Sequence, residues 1–135
     1  MIVIDTSAVF AIMATEPEAA EIRRVLKAHT DLAMSAFTVF ECRTVLHRRL
    51  PRAAQSEFSQ FLRLAPVRVE PFDSDLAEIA FVAYRTMGKG SGHKAQLNLG
   101  DCASGPLWSL AWHVIRLPGQ SRPGARTRGT RRCGR

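Results

Sequence analysis

The sequence predicts an α/β fold, with a mainly parallel central sheet flanked by helices. Three observations predict it. Met1-Ile-Val-Ile4 is a short run, apolar throughout and rich in β-branched residues, which suits a strand buried on both faces. Leu32–Met34 and Val67–Glu70 are two further strand patterns, the second alternating in character. Stretches with helical spacing of apolar residues separate them, and alternation of this kind places helices over a parallel sheet.

Each element has a local reason. Asp5-Thr6-Ser7 ends the first strand and starts a helix that Ala8–Ala14 continues. Glu16-Pro17-Glu18 opens a second helix, since proline suits a first turn and acids suit its positive end; Ile22, Val25 and Leu26 supply its apolar stripe. Ser35 is a good N-cap for a helix from about Ala36 to Leu50, which Pro51 stops. Arg52–Leu64 reads as another helix, carrying Phe58, Phe61 and Leu62. Ser74 caps a helix to about Met87, and Gly88–Gly100 reads as a glycine-rich basic loop. Gly105-Pro106 is expected to break a helix begun at Asp101. Leu107, Leu110, Ala111, Val114 and Ile115 then have helical spacing.

The 135 residues suffice for one domain and are too few for two comfortable ones. The expected division is a domain over 1–117 and a basic disordered tail over 118–135, where almost nothing can be buried. Of the 19 Lys and Arg, seven lie after residue 101, and none of the 12 acids does. The net charge of +7 therefore belongs to the C-terminal quarter and does not describe the domain. The longest apolar run, Ala8–Ala14, is far shorter than the roughly 20 residues of a membrane span, and Asp5 interrupts any signal-peptide core. No membrane partner is expected, and the expected location is cytoplasmic. Three cysteines without close pairing and four scattered histidines offer no zinc pattern.

Three acids stand out. Asp5 follows the first strand directly, where active sites of open parallel sheets gather, though it could equally cap the next helix. Glu41 lies inside a helix, one turn from Phe37, Thr38, Thr44 and Val45, on a largely apolar face. A carboxylate there must be neutralised, paired or bound to metal; pairing with Arg48 is the ordinary alternative. Asp101, in Asn98-Leu-Gly-Asp-Cys102, is either a helix cap or a third site carboxylate. Together the three suit a hard cation such as Mg²⁺, which could activate water against a phosphodiester. Phosphoryl transfer with Asp5 as nucleophile lacks the usual second acid, since Ser7 stands there. Lys89, His93 and Lys94 could touch a phosphate or simply line a solvated loop, and Gly88-Lys-Gly-Ser-Gly92 is no Walker A loop.

Met1-Ile-Val-Ile-Asp-Thr-Ser-Ala8 is similar to the opening of PIN-domain toxins. Ser35–Glu41 looks like their third helix with its acid, and Val69-Glu-Pro-Phe-Asp73 like the strand and turn that follow. Ala83-Tyr-Arg85, Gly88-Lys-Gly90 and Leu97-Asn-Leu-Gly-Asp-Cys102 match the family's long loop and its N-x-G-D-C signature. The chain thus resembles the PIN-domain ribonucleases of the VapC type, in order and spacing, to about Ser104. The resemblance implies a PIN-like fold, RNA cleavage dependent on Mg²⁺ (or Mn²⁺) that leaves a 5′-phosphate and 3′-hydroxyl, and inhibition by a VapB-type antitoxin. It makes Asp5 and Asp101 metal ligands and Glu41 a third catalytic acid, with Thr6 or Ser7 orienting the site. A homodimer is a further partner arrangement to test.

The departure is as clear. The family continues with an Ala-rich helix, a short buried strand and a turn bearing a fourth acid. Here no Asp or Glu follows Asp101. The last strand is therefore expected to be absent or altered and activity to be impaired, with an inactive domain that still binds antitoxin or RNA as the alternative. An Arg-, Gly- and Pro-rich end is what a G/C-rich gene read out of frame after codon 104 would encode.

Overall fold

The computed structural model describes residues 1–110 and 113–115, with side chains through Ser104. Four strands form one parallel sheet: β1 (Ile2–Ile4), β2 (Leu32–Ser35), β3 (Val67–Glu70) and β4 (His113–Ile115), in spatial order β3-β2-β1-β4. The helices are α1 (Thr6–Met13), α2 (Ala19–Lys27), α3 (Ala36–Arg49), α4 (Ala53–Leu64), α5 (Ser74–Met87) and α6 (Leu99–Leu110). β1 and β2 are buried at every position, as their continuous apolar runs require, whereas β3 is an edge strand and only partly covered.

The strand order fixes where a site can form. From β1 the chain moves outward to β2 and β3, then returns to place β4 on β1's other side. The crevice beyond the carboxyl ends of β1 and β4 is thus the topological switch point of the sheet, and Asp5 follows β1 into it. The opposite end is tied by ion pairs: Asp31 lies 3.3 Å from the Met1 ammonium and 3.5 Å from the Arg68 guanidinium.

One core joins the sheet to α1, α2, α3 and α4. Ile4, Val9, Leu32, Met34, Leu46 and Phe58 are among its fully buried members, as is Cys42, one turn before Leu46 on the same face of α3. Thr38, on that face too, is buried against α6. Ser104 donates its single hydroxyl hydrogen to the Gly100 carbonyl at 3.1 Å, so the 2.8 Å contact between Thr38 and Ser104 has Thr38 as donor. This relay fixes α6 against α3.

The expected strands and helices are present with shifted ends. Ser35 caps α3, accepting from the Phe37 amide at 3.2 Å. The cap of α5 is Asp73, which accepts from the Leu76 amide at 3.0 Å, and Ser74 is the first helical residue instead. α2 starts at Ala19, leaving Glu16-Pro17-Glu18 in the turn before it. α1 ends in a Schellman-type turn: the Glu16 amide reaches back to the Ala11 carbonyl at 2.9 Å, and Thr15 holds φ at 55°.

Two expectations at the C-terminal end are corrected. Gly105-Pro106 does not break the helix, because α6 packs on α5 and α3 and continues to Leu110. A proline forfeits one helical hydrogen bond, and packing on both sides can outweigh that loss. The helical spacing read through Ile115 is also overtaken: His113–Ile115 pairs in parallel with Ile2–Ile4. The last strand, expected absent or altered, is therefore present in short form. Val114 and Ile115 suit either element, and unpaired backbone groups on β1 favour the strand. The expected tail at 118–135 lies outside the described residues.

Candidate active site

A cavity of about 300 Å³ opens at the switch point, and Asp5, Glu41 and Asp101 all line it. Three acids 36 and 60 residues apart in sequence are thus brought together by β1, α3 and the first turn of α6. Thr6 and Ser7 line it as well, whereas Lys89 and Lys94 are exposed and lie outside its lining.

Each acid is held by its own element. Asp5 is only 5 % exposed and caps α1, accepting from the Thr6 amide at 2.7 Å and the Ser7 hydroxyl at 3.2 Å. Its capping role and its place in the site are therefore compatible. Asp101 is not the cap of α6. Its carboxylate accepts from the Asn98 amide at 3.0 Å while Asn98 Oδ1 accepts from the Asp101 amide at 2.7 Å. This reciprocal box explains the Asn and the Asp of the signature together. Glu41 accepts a hydrogen bond from the Thr6 hydroxyl, so a residue of α1 orients the acid of α3.

The glycine of the signature has its own reason. A β-carbon on Gly100 would meet the Glu41 carboxylate oxygens at 2.5 and 2.6 Å. Only glycine lets that carboxylate lodge against the start of α6.

The electrostatics are those of crowded like charges. Burial raises the Glu41 carboxyl above its usual range; the Thr6 hydrogen bond opposes this, and the negative charges of Asp5 and Asp101 add to it. A cation among the three would relieve that repulsion, and carboxylates are the donors a hard divalent ion takes. As the side chains lie, no three His, Cys, Asp or Glu groups among the described residues converge as a ready-made metal cage. The donor chemistry of Asp5, Glu41 and Asp101 fits the ion. Cys42, behind Glu41, is no competing nucleophile: burial pushes its thiol up to about 12.

Sequence reasoning missed several lining residues. Arg49, rather than Arg48, shares the cavity with Glu41, and the spacing Glu41-Val45-Arg49 on one helix face was the available signal. Asn98 was legible from its three-residue offset to Asp101. Phe10 lies one turn along α1 from Thr6, and Glu16 arrives through the turn after α1, which no local pattern announces.

The deciding observation is a match between residues 2–104 and the model of the PIN domain. This chain belongs to the PIN-domain family. Among its relatives, the ribonuclease VapC42 of Mycobacterium tuberculosis is 36% identical over 117 residues, covering 87% of the PIN chain and 89% of the relative. The ribonuclease VapC of Mycolicibacterium smegmatis is 34% identical over 119 residues, covering 88% and 92%. These alignments are longer than the 104 residues that end at Ser104, so they run on into the divergent segment. Among solved structures, M. tuberculosis VapC20, described as a sarcin-ricin loop cleaving toxin, superposes with a TM-score of 0.68 at 20% identity, covering 82% of each chain. The PIN fold expected from the sequence is thus the fold found.

Proposed function

We propose that this PIN chain is an endoribonuclease toxin of the VapC type, hydrolysing RNA phosphodiester bonds with a divalent cation held at Asp5 and Asp101. One observation carries the reading. Three carboxylates distant in sequence share one cavity at the sheet's switch point, in a chain that is 36% identical to a VapC ribonuclease. Mg²⁺, or Mn²⁺ in its place, would supply Lewis-acid stabilisation of the phosphate charge and a more acidic water.

The chain's own residues do the rest. Asp5 and Asp101 bind the cation from opposite elements, one fixed by Thr6 and Ser7, the other by Asn98. Glu41 takes the proton of the attacking water. The Thr6 hydroxyl keeps it aimed. The products are a 5′-phosphate and a 3′-hydroxyl. Thr6 and Ser7 position the carboxylates, and Lys89 and Lys94, exposed beyond the cavity, contact more distant RNA phosphates. The regulating partner is a VapB-type antitoxin, with a homodimer as the assembly to test and the cytoplasm as the site of action. Among the described residues, no helix is long and apolar enough to cross a membrane.

The second reading, a domain that binds antitoxin or RNA without cutting, is favoured by the lack of any acid after Asp101. One assay separates the two. Purified protein is incubated with structured RNA and Mg²⁺ beside Asp5→Ala and an EDTA control. Cleavage lost in both controls is the expected result; equal background in all three refutes the enzyme.

A further inference from the structure

Among the described residues, Arg49 is the one basic side chain lining the carboxylate cavity. It ends α3 two turns beyond Glu41, with Val45 between them on the same face. Its guanidinium carbon stands 5.8 Å from the centroid of the Phe10 ring, and Phe10, on α1, lines the cavity too. A cation over a ring at that distance is attracted to its face.

What Arg49 does not do is equally informative. Four carboxylates line the cavity, yet among the described residues Arg49 forms an ion pair with none of them. An arginine serving as internal counter-charge would present its fork to a carboxylate. This one instead stands over the Phe10 ring, and none of the four carboxylates holds its fork. Arg49 is largely exposed, at the mouth of the cavity. A planar fork of donors at the mouth of an acidic cavity suits the paired oxygens of a phosphodiester. It would also offset the repulsion that the acids exert on an approaching polyanion.

We propose that Arg49, seated on Phe10, binds a backbone phosphate of the RNA strand at the cavity mouth and so sets the strand beside the carboxylates. The proposal rests on the ribonuclease reading. Phe10 is then a positioning residue, holding the guanidinium at the cavity mouth, and Arg49 a substrate-binding one.

The test measures binding separately from cutting. Anisotropy of a short labelled single-stranded RNA is followed against the full chain in Ca²⁺ over a range of salt. Arg49→Gln is expected to weaken binding about tenfold, the loss of one charge-assisted contact. The slope of log affinity against log salt should fall by about 0.7, as for one phosphate contact on a single strand. Arg49→Lys should keep the slope but recover only part of the affinity, since lysine has no fork. Phe10→Leu should fall between. Arg63→Gln, an exposed arginine of α4 outside the cavity, is the control for general charge.

If Arg49→Gln behaves like Arg63→Gln, the proposal is overturned. It is also overturned if Arg49→Gln tightens Ca²⁺ binding by calorimetry and leaves RNA affinity unchanged, because Arg49 is then a counter-charge. Wild-type protein that cuts RNA with a KM unmoved by Arg49→Gln defeats this inference alone. Wild-type protein that neither binds nor cuts RNA defeats the ribonuclease reading with it.

Discussion

At Gly100 a single hydrogen atom decides where Glu41 can lie. A methyl group there would collide with the carboxylate that α3 presses against the start of α6. Gly100→Ala should therefore displace Glu41 and lower Mg²⁺-dependent cleavage by about 10²-fold, the usual cost of misplacing a catalytic group by about 1 Å. Shortening the acid makes room again, so Gly100→Ala with Glu41→Asp should cleave faster than Gly100→Ala alone; no recovery would show that the collision is not the cause. Glu41 has a stability signature as well. Its folded carboxyl binds a proton more tightly than the unfolded one, so metal-free stability is full below the ordinary glutamate range and falls as pH rises through it toward the raised value. Glu41→Gln should raise the melting temperature of metal-free protein at neutral pH and lose that advantage in acid. Cys42, buried with its thiol pushed up to about 12, should resist alkylation at pH 8 until the chain unfolds, as peptide mass spectrometry would show. Asp5, Glu41 and Asp101 were legible from their positions and from family resemblance. Arg49 was legible only as a neighbour on Glu41's helix face, and Glu16 was not, because it reaches the cavity through the turn after α1.

The elements show the same division between local and distant causes. β3 has the bounds read from its alternation, and α3 has the cap read from Ser35, because both depend on neighbours in sequence. The C-terminal end did not follow local rules. α6 crosses Gly105-Pro106 because α5 and α3 support it, and residues 113–115 become a strand because β1 has an edge to pair. The turn after α1 carries a cost that sequence could not reveal. Thr15 is β-branched yet left-handed at φ 55°, a conformation that glycine adopts without penalty. Thr15→Gly should stabilise the protein by up to about 1 kcal/mol, read by thermal or urea unfolding. A loss of stability would mean the Thr15 side chain makes a compensating contact. Thr38→Val removes the donor to Ser104 in a buried pair and should destabilise by about 1–3 kcal/mol.

Across the whole molecule, the core and the candidate site draw on the same stretch of chain. Asp5, Thr6, Glu41, Asn98, Gly100 and Asp101 all lie within residues 2–104, the stretch that matches the PIN model. Past Ser104 the described contribution to the sheet is β4, three residues beside β1. Among the described residues the sheet ends in two short edges, β3 and β4, and short edges limit pairing with other chains. The out-of-frame account of the C-terminal segment makes a direct prediction. Translating the coding DNA downstream of codon 104 in the other two frames should recover an apolar strand and a turn bearing an acid. If neither frame does so, the segment is native to this gene.

The Thr38–Ser104 hydrogen bond gives that boundary a genetic meaning. Among the described side chains, Ser104 is the most C-terminal one that latches the helix bearing Asp101 onto the helix bearing Glu41. A lesion in the codons beyond it would be borne first by the sheet edge, and would surface as poor yield or clumping of the product. A lesion a few codons earlier would unlatch the two helices and silence the toxin while leaving β1, β2 and β3 intact. Position along the gene thus sorts damage into two phenotypes, and the dividing codon is the one that specifies a buried serine hydroxyl.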